Sequence, residues 1–229
     1  MNDVSLSDEL KDLLSTADNT YLLKKGDRLF TAGEKAENIF IVRSGKIQIG
    51  KMTADGRELV LRLSKTGDIV GEIALYTGSV KYILTATALI DSEVVAINKE
   101  DLEQKLLENS KLAIEFINII TEMSLRDQTK LRDLVMYGRK GALYSTLIRL
   151  ANSYGVVKND EVFINIKLTV QELANFCGTS RESVSRLLSD LRKSHIVTTK
   201  KGYITIHDIE QLKKEINCEH CPIIMCSIH

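Results

Sequence analysis

The chain has 229 residues, 44% of them apolar and 27% charged, which is enough for one large domain or two smaller ones. Its 31 basic and 31 acidic residues cancel, so any affinity for nucleic acid must come from local clustering. No stretch approaches the roughly 18 uninterrupted apolar residues of a membrane span, and the acidic, polar start MNDVSLSDELKD is unlike a secretory signal. These properties predict a cytoplasmic protein with no membrane partner and with reduced cysteines.

From about Thr20 to Asn98, short apolar runs alternate with polar residues and are punctuated by glycines. NIFIVRSGKIQIGK (Asn38–Lys51) reads as two strands with period-two alternation and a turn at Ser44-Gly45. ELVLRLSKTGDIVGE and TATALIDSEVVAIN repeat the pattern, and the block predicts a small antiparallel barrel or roll.

After Lys99 glycine and proline disappear, and Leu112, Phe116, Ile120, Met123, Leu131 and Leu134 recur at steps of three, four or eight. That stripe predicts a long helix over roughly Asn109–Met136. Such a helix has two uses: covering the core of its own domain, or pairing with a second copy of itself, which the length of the stripe favours. Gly138 and Gly141 in YGRKG predict a hinge, followed by a helix over Ala142–Tyr154 and a polar turn.

LTVQELANFCGTSRESVSRLLSDLRKSHIVTTKKGYITIHD carries the most specific local pattern. Thr169 caps a predicted helix running to Phe176, Cys177-Gly178-Thr179 breaks it, and Ser180 caps a second helix from Arg181 to about Ser194. Val184, Leu187, Leu188 and Leu191 supply its buried face, and Cys177 reads as a small core residue. Two helices joined by so short a turn form a helix-turn-helix, with KKGYITIHD as a hairpin wing. Residues 167–201 hold seven basic and three acidic residues, a positive segment in a neutral chain. Arg181, Glu182, Ser185 and Arg186 gather at the start of the second helix, where base edges are reached. Arg186 suits a bidentate contact with guanine, and Glu182 an acceptor contact with the cytosine amino group. Thr169, Ser180 and the neighbouring lysines complete a surface for double-stranded DNA, the lysines holding phosphates.

The chain ends NCEHCPIIMCSIH, where Cys218, Cys221 and Cys226 form C-x2-C-x4-C around the only proline. On spacing alone an iron–sulfur cluster and a Cys3His zinc site completed by His229 are both open. A thiol switch lacks a clear basic partner to depress a thiol pKa. Pro222 and the following IIM are expected to stiffen and shield the loop, and His220 to face solvent. The four histidines form no catalytic set, so no enzyme is expected.

A glycine-punctuated roll, a long helix and a winged helix-turn-helix containing SRESVSR together resemble the CRP/FNR superfamily of bacterial transcription regulators over nearly the whole chain. The resemblance implies an α+β fold: a cyclic-nucleotide-binding-like β-roll over residues 1–108, a dimerisation helix over 109–137, a winged helix-turn-helix over 138–208, and a C-terminal helix and cysteine tail over 209–229. It implies a homodimer on a palindromic operator with TGTGA-like half-sites, and contact with RNA polymerase if the protein activates. The family's base-reading Glu and Arg map onto Glu182 and Arg186. Arg181 matches the cyclic-AMP receptor group and Ser185 the oxygen-sensing FNR group.

The family's nucleotide pocket begins with Gly-Glu, present as Gly71-Glu72, and then requires an Arg and a Ser, where this chain has Tyr82 and Ile83. Neither side chain can pair with a buried phosphate, and Lys81 on a strand points the other way, so no cyclic-nucleotide site is expected. Cysteine placement resembles the Bacillus-type FNR proteins, whose [4Fe-4S] cluster is held by three C-terminal cysteines and an aspartate near the end of the dimer helix. Carried over, the ligands are Cys218, Cys221, Cys226 and Asp133, with Asp127 as the weaker choice for the aspartate. The alternative is a regulator of the same fold with structural zinc in the tail and a small-molecule ligand in the roll.

Overall fold

The computed structural model describes residues 19–53 and 58–229. Contacts divide them into two compact units. The first takes the described residues up to Met52, Leu61–Thr121 and His229; the second takes Glu122–Ile228 and the described part of Thr53–Val60.

The first unit is built on eight strands: β1 (Asn19–Leu23), β2 (Arg28–Phe30), β3 (Asn38–Ser44), β4 (Ile47–Met52), β5 (Glu58–Ser64), β6 (Ile69–Val70), β7 (Thr85–Ala88) and β8 (Ser92–Asn98). They form two four-stranded sheets, ordered β1-β8-β3-β6 and β2-β7-β4-β5. Ser44-Gly45 turns the chain from one sheet into the other, so β3 and β4 are not hydrogen-bonded neighbours. Period two holds in β4, where Ile47 and Ile49 are buried. β3 departs from it: Ile39, Phe40, Ile41 and Val42 are all buried because both faces are covered. Phe40 and Val42 join the core with Ile47, Ile49 and Tyr82. Ile39 and Ile41 pack with Leu102 and Leu106 of α1 (Lys99–Glu108) and Leu112 and Phe116 of α2 (Ser110–Tyr154).

The long helix therefore serves its own domain at its start. Leu112 and Phe116 are buried against the roll, each side chain contributing about 1.5–3 kcal/mol. Further along, Ile117, Ile120, Leu131, Leu134 and Val135 are exposed in the single chain. Gly138 breaks the helix with φ 58° and ψ −149°, a conformation that essentially only glycine adopts. Gly141 stays within the helix, so of the two glycines expected to form a hinge only Gly138 departs from helical geometry.

In the second unit, β9 (Gly155–Lys158), β10 (Glu161–Ile164), β11 (Val197–Lys200) and β12 (Tyr203–Ile206) form one antiparallel sheet ordered β11-β12-β10-β9. The wing hairpin β11–β12 turns at Lys201-Gly202, and the segment after Tyr154, expected to be a polar turn, is the β9–β10 hairpin beside it. Between them lie α3 (Val170–Cys177) and α4 (Arg181–Lys193), and α5 (Ile209–Glu215) leads into the tail.

Candidate DNA-reading surface and cysteine cleft

Thr169 caps α3 through a reciprocal box with Glu172, and Ser180 caps α4 by accepting from the Ser183 backbone N–H. Gly178 closes α3 in the left-handed conformation, its N–H reaching the Ala174 and Asn175 carbonyls. Leu173, Ala174, Phe176 and Cys177 of α3 are buried, as are Val184, Leu188 and Leu191 of α4, whereas Leu187 is only half-buried. The opposite face presents Arg181, Glu182, Ser185 and Arg186 to solvent. The Glu182 carboxyl lies below its usual pKa, held by its own backbone N–H and then the Ser180 hydroxyl, which keeps it an acceptor. Ser183, in the same motif, is buried; its hydroxyl accepts from Arg139 Nη1 at 3.4 Å, tying α4 to the residue just after the Gly138 break.

In the roll, Tyr82 is buried, stacks on Phe30 with ring centroids 3.9 Å apart, and donates its hydroxyl to the Asn38 carbonyl at 2.8 Å. Glu72 accepts from the Ile83 backbone N–H at 2.9 Å, and Lys81 and Ile83 are exposed. An aromatic stack thus fills the space beside Gly71-Glu72, and Glu72 is engaged in holding the chain.

The tail is anchored along its length. Asn152 Nδ2 donates to the Cys226 carbonyl (2.7 Å), the Ile228 N–H to Ser153 Oγ (2.9 Å), and Arg149 Nη1 to the Met225 carbonyl (2.9 Å). Arg132 pairs with Glu219 at 2.5 Å, and Lys140 with Glu215 at 2.6 Å. Met225 and Cys226 N–H groups close a turn on the Pro222 carbonyl. Ile223 and Ile224 in that turn are exposed, contrary to the expectation that they shield it; the turn directs them outward while Ile228 takes the buried place.

Cys218, Cys221 and Cys226 line one cleft together with Asp133, Thr129, Arg132, Ser145 and Arg149, a space of about 300 Å³ counting its open mouth. Asp127 and His229 are not among the residues lining it, and His220 is exposed. Asp133 is 3% exposed and fully engaged. Oδ1 accepts from Arg132 Nε and Nη2 at 3.1 and 2.9 Å, and Oδ2 from Ser145 Oγ at 2.5 Å and Arg149 Nη2 at 3.4 Å. Burial opposes the charge on Arg132, but hydrogen bonding and the charges of Asp133 and Glu219 outweigh it and raise its pKa. Burial also pushes the Cys226 thiol up, partly offset by Arg149. Cys177 stands apart, its Sγ 3.7 Å from Thr146 Oγ1 and its pKa pushed up by burial to about 11, which suits an inert core thiol.

Among the described residues no three His, Cys, Asp or Glu side chains converge closely enough to hold one metal ion. The three thiols and one carboxylate that line the cleft are donors of the kind an iron–sulfur cluster takes, and both Asp133 oxygens are at present occupied by hydrogen-bond donors. Sequence reading missed Arg132, Ser145, Arg149 and Asn152. The available signal was Arg149 inside the apolar run LYSTLIRLA, with Ser145 one helical turn before it.

A β-roll, a capped helix-turn-helix with an exposed basic start and a four-stranded sheet carrying the wing hairpin define a DNA-binding transcription regulator. Residues 22–109 match the family model of the cyclic nucleotide-binding domain and residues 141–215 that of the Crp-like helix-turn-helix domain. The anaerobic regulatory protein of Bacillus subtilis is 45% identical over 97% of this chain and 94% of its own length. The CRP-like cAMP-activated global transcriptional regulator of Mycobacterium tuberculosis is 24% identical over 83% of this chain and 84% of its own. Among solved structures, a CooA mutant from Carboxydothermus hydrogenoformans superposes with a TM-score of 0.78 at 19% identity, covering 94% of this chain and 97% of that one. The chain belongs to the CRP/FNR family of transcription regulators, which are not enzymes. No helix among the described residues is long and apolar enough to cross a membrane.

Proposed function

We propose that this protein is a cytoplasmic, oxygen-responsive transcription regulator that binds a palindromic operator as a homodimer when a [4Fe-4S] cluster is held by Cys218, Cys221, Cys226 and Asp133. The observation that carries the reading is the shared cleft, which gathers three tail cysteines and one helix carboxylate from positions up to 93 residues apart in sequence. The similarity to an anaerobic regulatory protein supports it. The bound group would supply an oxygen-labile link between tail and helix.

The chain's own residues supply the rest. Asp133 precedes the Gly138 break, whereas Ser145, Arg149, Asn152 and Ser153 follow it and grip Asp133 or the tail. Fixing the tail to Asp133 therefore braces the break, and Arg139 passes that setting to Ser183 of the recognition helix. The exposed Ile117, Ile120, Leu131, Leu134 and Val135 supply a pairing seam. It would hold two recognition helices about one DNA turn, roughly 34 Å, apart. Arg186 and Glu182 read base edges, while Arg181, Ser185, Thr169, Ser180 and nearby lysines fix the docking. The space filled by Tyr82 stacked on Phe30 argues against a cyclic phosphate in the roll.

Iron, sulfide and zinc analysis of anaerobically purified protein tests the assignment. Four irons and four sulfides per chain are expected, lost in Asp133→Ala and kept in Asp127→Ala. A colourless protein with stoichiometric zinc would overturn it.

A further inference from the structure

The cleft holds two arginines on one carboxylate, and their settings differ. Arg149 is 2% exposed and its guanidinium is committed to four acceptors: Asp133 Oδ2, Ser145 Oγ, Thr129 Oγ1 at 2.9 Å and the Met225 carbonyl. Moving it would strand the buried Asp133 and Ser145 and the half-buried Thr129 and Met225 carbonyl, groups from both sides of the Gly138 break and from the tail. Arg132 is 29% exposed, lines the open cleft, and already divides itself between Asp133 Oδ1 and Glu219 Oε2, with the Cys221 side chain as a further, smaller partner.

A carboxylate has about four lone-pair sites, and all four of Asp133 are taken by N–H or O–H donors. Asp133 can offer a lone pair to a metal only if one donor leaves. The least costly departure belongs to the donor with solvent access and a second partner.

We propose that Arg132 is a placeholder cation: it occupies Asp133 Oδ1 until Asp133 becomes a ligand, then yields that oxygen while staying held by Glu219 of the tail, and Arg149 and Ser145 keep Oδ2 fixed. In this exchange the two Arg132 N–H···Oδ1 bonds would break, leaving Oδ1 a free lone pair with which to hold the metal centre, and Arg132 would keep its proton and charge. Arg132 is thus a positioning residue that competes with the metal centre, and Glu219 is its release partner. The proposal rests on Asp133 being a ligand, as proposed above.

The test is anaerobic reconstitution with ferrous iron and sulfide, followed by decay of the visible cluster absorption under a ferrous chelator. Iron and sulfide stoichiometry and far-ultraviolet circular dichroism accompany each variant. Arg132→Gln should lengthen cluster lifetime about tenfold, the scale of a lost charge-assisted hydrogen bond. Glu219→Gln, which leaves Arg132 on Asp133, should shorten it, and the double variant should behave like Arg132→Gln alone. Both residues are partly exposed, so both variants should fold. If the cleft acted only through net charge, the signs would reverse, because four anionic ligands favour added positive charge. Shorter lifetime in Arg132→Gln with longer lifetime in Glu219→Gln would overturn the placeholder role while leaving the cluster assignment standing. A wild-type chain that acquires no iron and sulfide would remove both.

Discussion

Arg149 Nη2 lies 3.4 Å from Asp133 Oδ2, although the two are sixteen residues apart and the Gly138 break lies between them. A straight helix would set them about 24 Å apart along its axis. The break folds one limb back so that a buried ion pair closes across it, and the tail carbonyl of Met225 joins the same guanidinium. Helix geometry, tail position and the candidate ligand Asp133 are thereby joined in one network.

Removing one member should be costly, since it leaves a buried charge without its partner. Arg149→Met is expected to lower unfolding free energy by about 3–5 kcal/mol, measured by urea denaturation of the metal-free protein. Arg149→Lys, which keeps the charge but not the fork, should lose less. A change near zero in Arg149→Met would show that the network does not hold the limbs together.

Gly138 takes a backbone conformation closed to other residues, at an exposed position. Gly138→Ala should cost about 1–3 kcal/mol and weaken operator binding while helical content stays nearly constant. Anisotropy titration with an operator duplex, alongside circular dichroism, checks this. Unaltered affinity would separate the break from DNA reading.

Thiol chemistry should rank the four cysteines. Burial raises the Cys177 pKa to about 11 and raises that of Cys226 as well, so in the folded chain their thiolates form only at higher pH. A raised pKa means the folded state holds the proton more tightly, so alkylation of these two should lag at pH 8 and accelerate as pH rises. Mass mapping of iodoacetamide adducts in the metal-free protein should find Cys218 and Cys221 first, Cys226 later, and Cys177 only on unfolding. Early labelling of Cys177 would contradict its core placement.

Arg186 is exposed near the start of α4, less than one turn after the buried Ser183 and Val184. Arg186→Ala should lose about 1–3 kcal/mol of discrimination against an operator altered at its guanine. Weak, salt-sensitive binding should persist through the lysines. Equal loss on every sequence would make Arg186 a phosphate contact.

Much of this was legible in the sequence, for reasons that differ by element. Caps such as Thr169 and Ser180 are local chemistry, with side chain and partner three residues apart, so their pattern survives in one dimension. The stripe of α2 was legible as apolar periodicity, but its division at about Ile117 between roll and open surface depends on where the sheet ends. β3 misled because a strand covered on both faces loses alternation. The cleft was half legible. Closely spaced thiols announce themselves, and family resemblance pointed to Asp133, but Arg132 and Arg149 look like ordinary helix cations until the break brings the limbs together. The outward turn of Ile223 and Ile224 likewise follows from tail anchoring by Asn152 and Ser153, distant in sequence.

On the proposed function, the state of the cysteine cleft sets affinity for DNA. The most direct measurement is operator binding by one preparation, titrated anaerobically with its cluster intact and again after exposure to air. Affinity should fall about 5- to 150-fold, the usual range of coupling between sites, and return on anaerobic reconstitution. Equal affinity before and after cluster loss, at matched dimer concentration and salt, would contradict it.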